Sequence, residues 1–195
     1  MILYGASSHG KVVFSVVKGK ANLFFDDNKE LLSFCGLDVK AYDHKTLPDH
    51  DLVITIGNNK IRKLLSQTIE HNYSSIVSEY SILDSNVKVG VGSQLLHRCI
   101  IQTDTVIGDH TIINTNSNID HDCELGDFVH IAPGCTLCGN VKVGEGTFIG
   151  AGSTVIPGVE IGKWSIIGAG SVVVNNIPVN VLAYGNPAKV IRNIE

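Results

Sequence analysis

The sequence predicts a small Rossmann-like α/β domain with a parallel sheet, followed by a parallel β-helix built on a six-residue repeat. Three observations carry this. An aliphatic residue returns at every sixth position from Val77 to Val179, short apolar runs alternate with helix-like segments ahead of it, and small residues punctuate both halves. Residues 1–75 are assigned to the α/β domain and 76–195 to the β-helix with its C-terminal tail.

At the N-terminus, residues 1–4 read as a buried strand, Gly5-Ala6-Ser7-Ser8-His9-Gly10 as a tight loop, and 11–18 as a helix with one apolar face. A second strand, Leu23-Phe24-Phe25, ends at Asp26-Asp27. A third, Leu52-Val53-Ile54-Thr55-Ile56, ends at Gly57-Asn58-Asn59 and leads into a helix over 60–71. Strands alternating with helices make a parallel sheet, and ligands of such sheets bind beyond the carboxyl ends of the strands. There, loop amides and a helix N-terminus meet phosphate, and a carboxylate meets a ribose or base edge. The loop is not GxGxxG, and about seventy residues are too few for a complete dinucleotide fold, so the arrangement suits a smaller nucleotide ligand.

The repeat runs Val77, Leu83, Val89, Leu95, Ile101, Ile107, Ile113, Ile119, Leu125, Ile131, Leu137, Val143, Ile149, Val155, Ile161, Ile167, Val173 and Val179 without a slip. With about three residues in ten being Val, Ile or Leu, chance would produce such a run on the order of once in a billion, so the period outranks local propensity. One hexad is one short strand and a corner, and three hexads close a triangular coil. The aliphatic points inward. Four positions later comes a small or β-branched residue, among them Ser93, Cys99, Thr105, Thr111, Cys123 and Cys135, filling the narrowing interior. Glycine often follows the aliphatic, at Gly90, Gly108, Gly126, Gly144, Gly150, Gly162 and Gly168, where it is expected to relieve the backbone as the chain turns. Stacked coils pair as parallel strands, about six coils in all.

Composition narrows the function. A net charge of -4 over 195 residues argues against nucleic acid, which needs clustered Lys and Arg. No apolar run reaches membrane-spanning length and the start lacks a signal-peptide pattern, so no membrane insertion is expected and the location reads as cytoplasmic. Five cysteines fit a reducing compartment. Cys135 and Cys138 are spaced as CxxC, but no second ligand pair accompanies them and Cys135 occupies the small-residue slot of its hexad. Packing is the expected role, and no metal is expected.

Two histidines stand out. His121 and His130 lie within the repeat, outside the inward positions, on a segment rich in acids. Imidazole is poised for general-base work near pH 7, and a carboxylate on its other ring nitrogen fixes the tautomer and stabilises imidazolium. Asp120 and Asp122 both offer such a partner to His121. His44, His50, His71, His97 and His110 read as surface residues.

The hexads with the closing Gly185-Asn186-Pro187-Ala188-Lys189 resemble the hexapeptide-repeat acyltransferases. The loop 5–10, Asp26-Asp27 and Ile56-Gly57-Asn58-Asn59-Lys60-Ile61-Arg62-Lys63, in this order ahead of the hexads, resemble in particular the sugar acyltransferases of the PglD/NeuD family, leaning to the PglD-type UDP-4-amino-sugar N-acetyltransferases. The resemblance covers nearly the whole chain. It implies a left-handed coil, a homotrimer, and acetyl-CoA as co-substrate lying between neighbouring prisms. It implies a UDP-linked amino sugar bound by Ser7, Ser8, His9, Asp26, Asp27 and Gly57. His121 would be the general base, Asp122 its tuning carboxylate, and His130, Gly139, Ala151 and Ala169 contacts to acetyl-CoA. The family pattern has Glu where this chain has Asp122, one methylene shorter. The expected reaction is acetyl transfer to the 4-amino group of a UDP-linked deoxyamino sugar. Sialic-acid-type O-acetylation, a perosamine-type acceptor and a trimeric nucleotide-sugar-binding scaffold without catalysis are the alternatives.

Overall fold

A computed structural model describes residues 1–17 and 19–194. In the α/β part, β1 (Ile2–Tyr4), α1 (Ser8–Val17), β2 (Leu23–Phe25), β3 (Ser33–Phe34), β4 (Leu37–Lys40), β5 (Leu52–Ile54) and α2 (Asn59–Ser66) follow one another. The sheet order is β3-β4-β2-β1-β5. Strands β4, β2, β1 and β5 run parallel, and β3 turns back against β4. Side chains alternate across it. Leu3, Phe24 and Val53 pack with Val13, Val16 and Val17 of α1, whereas Ile2, Tyr4, Phe25 and Ile54 pack with Ile69 on the other side.

Three local expectations change. The β3–β4 hairpin replaces an unassigned stretch, with Cys35 and Gly36 both at positive φ in its turn. Helix α1 starts at Ser8 rather than at residue 11, while its expected last residue, Lys18, lies outside the described residues. Helix α2 stops at Ser66, five residues before the expected His71. The chain there must turn back so that Tyr73 pairs with Leu52, and the His71 ring lies between Tyr42 Oη and the Thr46 carbonyl.

From Ile76–Val77 to Val172–Val173 the chain forms two-residue strands at six-residue intervals, stacked into three parallel sheets. Face I carries Asn118–Ile119, face II Glu124–Leu125 and face III His130–Ile131. One coil takes eighteen residues, since Ile101 pairs with Ile119 and Ile119 with Leu137. The aliphatic ladder fills the core from Leu95 to Val173. Each buried member stabilises the stack by roughly 2 kcal/mol through area removed from water.

Both ends of the ladder depart from the repeat. Val77 is 47% exposed because no coil lies beyond the first one, while its neighbour Ile76 is buried against α1 and β1. Val179 is 56% exposed, and Ile177 takes the inner slot by pairing with Ile161. The last coil is therefore two residues short. Asn176 Oδ1 makes this possible by accepting the Glu160 N–H, a bond that a backbone carbonyl accepts in the coils below.

The small interior residues do more than fill space. Ser93 Oγ donates to the Gly108 carbonyl and accepts the Thr111 N–H, and Thr105 Oγ1 does the same with Asp120 and Cys123. The thiols of Cys99, Cys123 and Cys135 donate to carbonyls in the same place. Burial raises the Cys99 and Cys123 thiols to about 11, which keeps them protonated donors. The glycines after the aliphatics also act differently from expectation. Positive φ falls two residues further on, at Asp104, Asn116, Asp122 and their equivalents. A Cβ on Gly108 would sit 2.6 Å from the Gly126 carbonyl carbon, so glycine there permits close approach between coils.

Candidate functional site

At the carboxyl ends of β1, β2 and β5 the structure brings together the residues expected to meet a nucleotide. Gly5, at φ 118, turns the chain out of β1, and a Cβ on it would strike Ile56. Gly10 lets α1 sit directly on that turn, because its own Cβ would overlap the Gly5 carbonyl. Ser7 Oγ accepts the Gly10 N–H, and Ser8, exposed, opens α1. Asp26 accepts the N–H groups of Ala6 and Asn28, which ties the loop to the end of β2. Asp27 is exposed and takes the Tyr4 hydroxyl at 2.7 Å. Gln94 Nε2 donates to the Ile54 carbonyl, so its Oε1 faces His9 Nε2 at 2.9 Å and receives that proton.

The α/β domain docks on face III and on the corner between faces II and III. Helix α2 opens with Asn58 as its cap, the side chain accepting the Ile61 N–H. One turn on, Arg62 is fully buried. Its guanidinium donates to the carbonyls of His110, Ile56, Gly57, Phe128 and Val129 and to Asn59 Oδ1. Burial draws its pKa down to about 9, still charged at neutral pH. Asn59 adds bonds to the carbonyls of Gly146 and Thr147. Lys63 pairs with Glu145 and lies over the rings of Phe128 and Trp164.

This docking explains the burial of His130 and His110, while the α/β domain by itself buries His71. His130 lies at an outward position but is 7% exposed, because Gly57 and His9 cover it. Burial, then the charge of Arg62, pushes its pKa down to about 3. His110, expected on the surface, is buried in a stack with Phe128 and edge-on to Tyr73, its Nδ1 unpaired. His71, also expected on the surface, is buried under Tyr42 and Phe25.

His121 sits in a different environment, at the corner between faces I and II. Its Nδ1 lies 2.7 Å from Asp122 Oδ2, and both side chains are about half exposed. The hydrogen bond to Asp122, then the charge of Asp120, raises its pKa above the ordinary imidazole value. Asp120 Oδ1 is occupied by the His121 N–H, which leaves Asp122 as the ring's partner. Gly139, one coil on, is buried beneath the ring, and a Cβ there would lie 2.6 Å from Cε1 and Nε2.

Ala151 and Ala169 are exposed one coil apart at the corner between faces III and I, linked through Gly170 N–H to the Ala151 carbonyl. Within one chain, then, Gly139 and His121 share one corner, the two alanines a second, and the docked α/β domain takes the remaining corner and face III. Sequence reading missed Arg62, Asn59, Gln94 and Asn114. The run from Ile56 to Lys63 was legible as a motif, but only Gly57 was drawn from it. Between the start of α2 and face III lies a cleft of about 560 Å³, walled by Gly57 and Asn58 on one side and Phe148, Trp164 and Ile166 on the other. Among the described residues, no cluster of His, Cys, Asp or Glu is arranged to hold a metal, and no helix is long and apolar enough to cross a membrane.

Residues 1–69 match the PglD N-terminal domain, and residues 104–139 and 140–175 each match the bacterial transferase hexapeptide model of six repeats. Among solved structures, PerB from Caulobacter crescentus in complex with CoA and GDP-perosamine is 33% identical, covering 98% of this chain and 96% of its own, with a TM-score of 0.92. The acetyltransferase domain of PglB from Neisseria gonorrhoeae FA1090 in complex with acetyl coenzyme A is 31% identical over 97% of this chain and 98% of its own, TM-score 0.92. WeeI from Acinetobacter baumannii AYE is 30% identical over 97% and 98%, TM-score 0.89. Fold, repeat and relatives together define a hexapeptide-repeat acyltransferase. More particularly, the chain belongs to the sugar N-acetyltransferases of the PglD/NeuD type.

Proposed function

We propose that this protein transfers the acetyl group of acetyl-CoA directly to the 4-amino group of a UDP-linked deoxyamino sugar. The observation that carries the reading is the His121–Asp122 pair at 2.7 Å. Asp122 accepts Nδ1–H, so Nε2 keeps its lone pair and takes a proton from the attacking amine as nitrogen bonds to the thioester carbon. The C–S bond then breaks, and the CoA thiolate recovers that proton from the imidazolium. No covalent acyl-enzyme is needed. The site residues carried from the family remain Ser7, Ser8, His9, Asp26, Asp27 and Gly57 for the sugar nucleotide, and His130, Gly139, Ala151 and Ala169 for acetyl-CoA.

A homotrimer completes this site. His121 projects from the corner opposite face III, whereas the nucleotide-facing loops cover face III, so the base and the sugar come from different copies. That PglB holds acetyl coenzyme A supports the donor. A GDP-linked acceptor of the perosamine type is the second reading, favoured by PerB, which holds GDP-perosamine at 33% identity. Mass spectrometry of products from acetyl-CoA with UDP- and GDP-linked 4-amino sugars separates the two. Acetylation of the UDP sugar supports the first reading, and turnover of the GDP sugar alone replaces it.

A further inference from the structure

His130 has two ring nitrogens, and its surroundings decide which one holds the proton. Nδ1 lies 3.1 Å from the Gly57 carbonyl, which only accepts, so Nδ1 carries the hydrogen. Nε2 lies 3.3 Å from Asn114 Nδ2. The other end of that amide fixes its orientation, because Asn114 Oδ1 accepts the Thr115 N–H at 2.8 Å and turns Nδ2 toward the ring. Two independent partners demand the same neutral tautomer, with Nε2 an acceptor.

Arg62 anchors both ends of this arrangement. Nη1 holds the carbonyls of Ile56 and Gly57 at 2.9 and 3.3 Å, and Gly57 is the acceptor for His130. Nη2 holds the carbonyls of Phe128 and Val129 at 2.9 and 3.4 Å, the two residues ahead of His130. One rigid fork thus sets where the ring starts and where its N–H lands. All acceptors of Arg62 are neutral, so its charge is felt by the ring. The titratable groups facing His130 are Arg62 from α2 and His9 from the first loop, and both oppose a second proton.

We propose that Arg62 is a positioning residue for the transfer site: it holds His130 against Gly57 as a neutral ring whose Nε2 accepts a hydrogen bond and cannot donate one. The proposal rests on the sugar N-acetyltransferase reading for its meaning. In that reaction the ring offers no free donor, so an N–H of the sugar nucleotide or of the pantetheine arm meets Nε2 only by displacing Asn114 Nδ2, and the hydrogen bonds to the developing thioester oxyanion come from other groups.

Nitrogen-15 NMR of the ligand-free trimer tests this. The expected spectrum shows His130 protonated at Nδ1 only, unchanged from about pH 8 to about pH 5, where an ordinary imidazole titrates. A proton on Nε2, or titration in that window, overturns the proposal. Arg62→Lys keeps the charge without the planar fork, and it should lower kcat/KM for the sugar nucleotide on the order of tenfold, mainly through KM, while His130 begins to titrate or to exchange tautomers. Wild-type kinetics together with an unchanged His130 spectrum in Arg62→Lys would also overturn it. The wild-type spectrum needs neither a folded variant nor a substrate, so an enzyme that acetylates no amino sugar would sink the functional reading and leave this test standing.

Discussion

His121 and His130 are nine residues apart in one repeat, yet the structure gives them opposite chemistry. His121 stands half exposed at a corner with a carboxylate on Nδ1 and a pKa raised above its ordinary value. His130 is buried beneath another domain beside an arginine, and its pKa falls to about 3. A repeat offers equivalent positions, and what docks on them decides whether an imidazole binds its proton more tightly or hardly at all.

The most direct way to break the comparison is His121→Ala. It should lower kcat about a thousandfold with Tm and acetyl-CoA binding unchanged, as measured by steady-state kinetics and calorimetry, because the removed ring packs only on the surface. Near-normal turnover would remove the base from His121. Gly139→Ala comes next: the added Cβ pushes into the His121 ring, and kcat should fall about a hundredfold while the coil stays folded.

Asp122→Asn sharpens the contrast through pH. The base works when neutral, so kcat/KM rises as pH passes upward through the His121 pKa, which lies above the ordinary imidazole value. Removing the carboxylate lowers that pKa, and the acid limb should move to lower pH, with the plateau reduced about tenfold as tautomer control is lost. Asn tolerates the positive φ at this position, so the corner itself should survive. An acid limb that stays in place would assign it to another group. The smallest effect is expected from Cys123→Ser, which keeps a donor to the Cys138 carbonyl and should change unfolding free energy by less than about 1 kcal/mol in urea titrations.

Much of this was legible in sequence because it rests on local rules. The ladder could be read from Leu83 to Val173 since one position of every hexad takes only Val, Ile or Leu. The His121–Asp122 pair was legible because its members are adjacent. Ile177 displaced Val179 because the final coil loses two residues, and Asn176 supplies the missing acceptor, which no hydrophobic period can register. The burial of His130 and His110 depends on a domain sixty residues or so upstream in the chain, docked through Arg62, whose acceptors on the β-helix are backbone carbonyls and so leave no partner side chain there to find. The β3–β4 hairpin was not legible because its strands, two and four residues long, are too short to give a period.

The clamp made by Asn59 and Arg62 has a consequence for how this molecule can vary. Every coil of the rod presents the same backbone, so the rod alone has no origin along its axis and would tolerate gain or loss of eighteen residues almost anywhere. Arg62 and Asn59 grip carbonyls at His110, Phe128 and Gly146, three successive turns of one corner. An added or deleted coil within that span would carry the loops at the carboxyl ends of β1, β2 and β5 out of step with the His121 corner, whereas one beyond it would only lengthen the rod. The clamp turns a uniform lattice into a ruler with a zero mark.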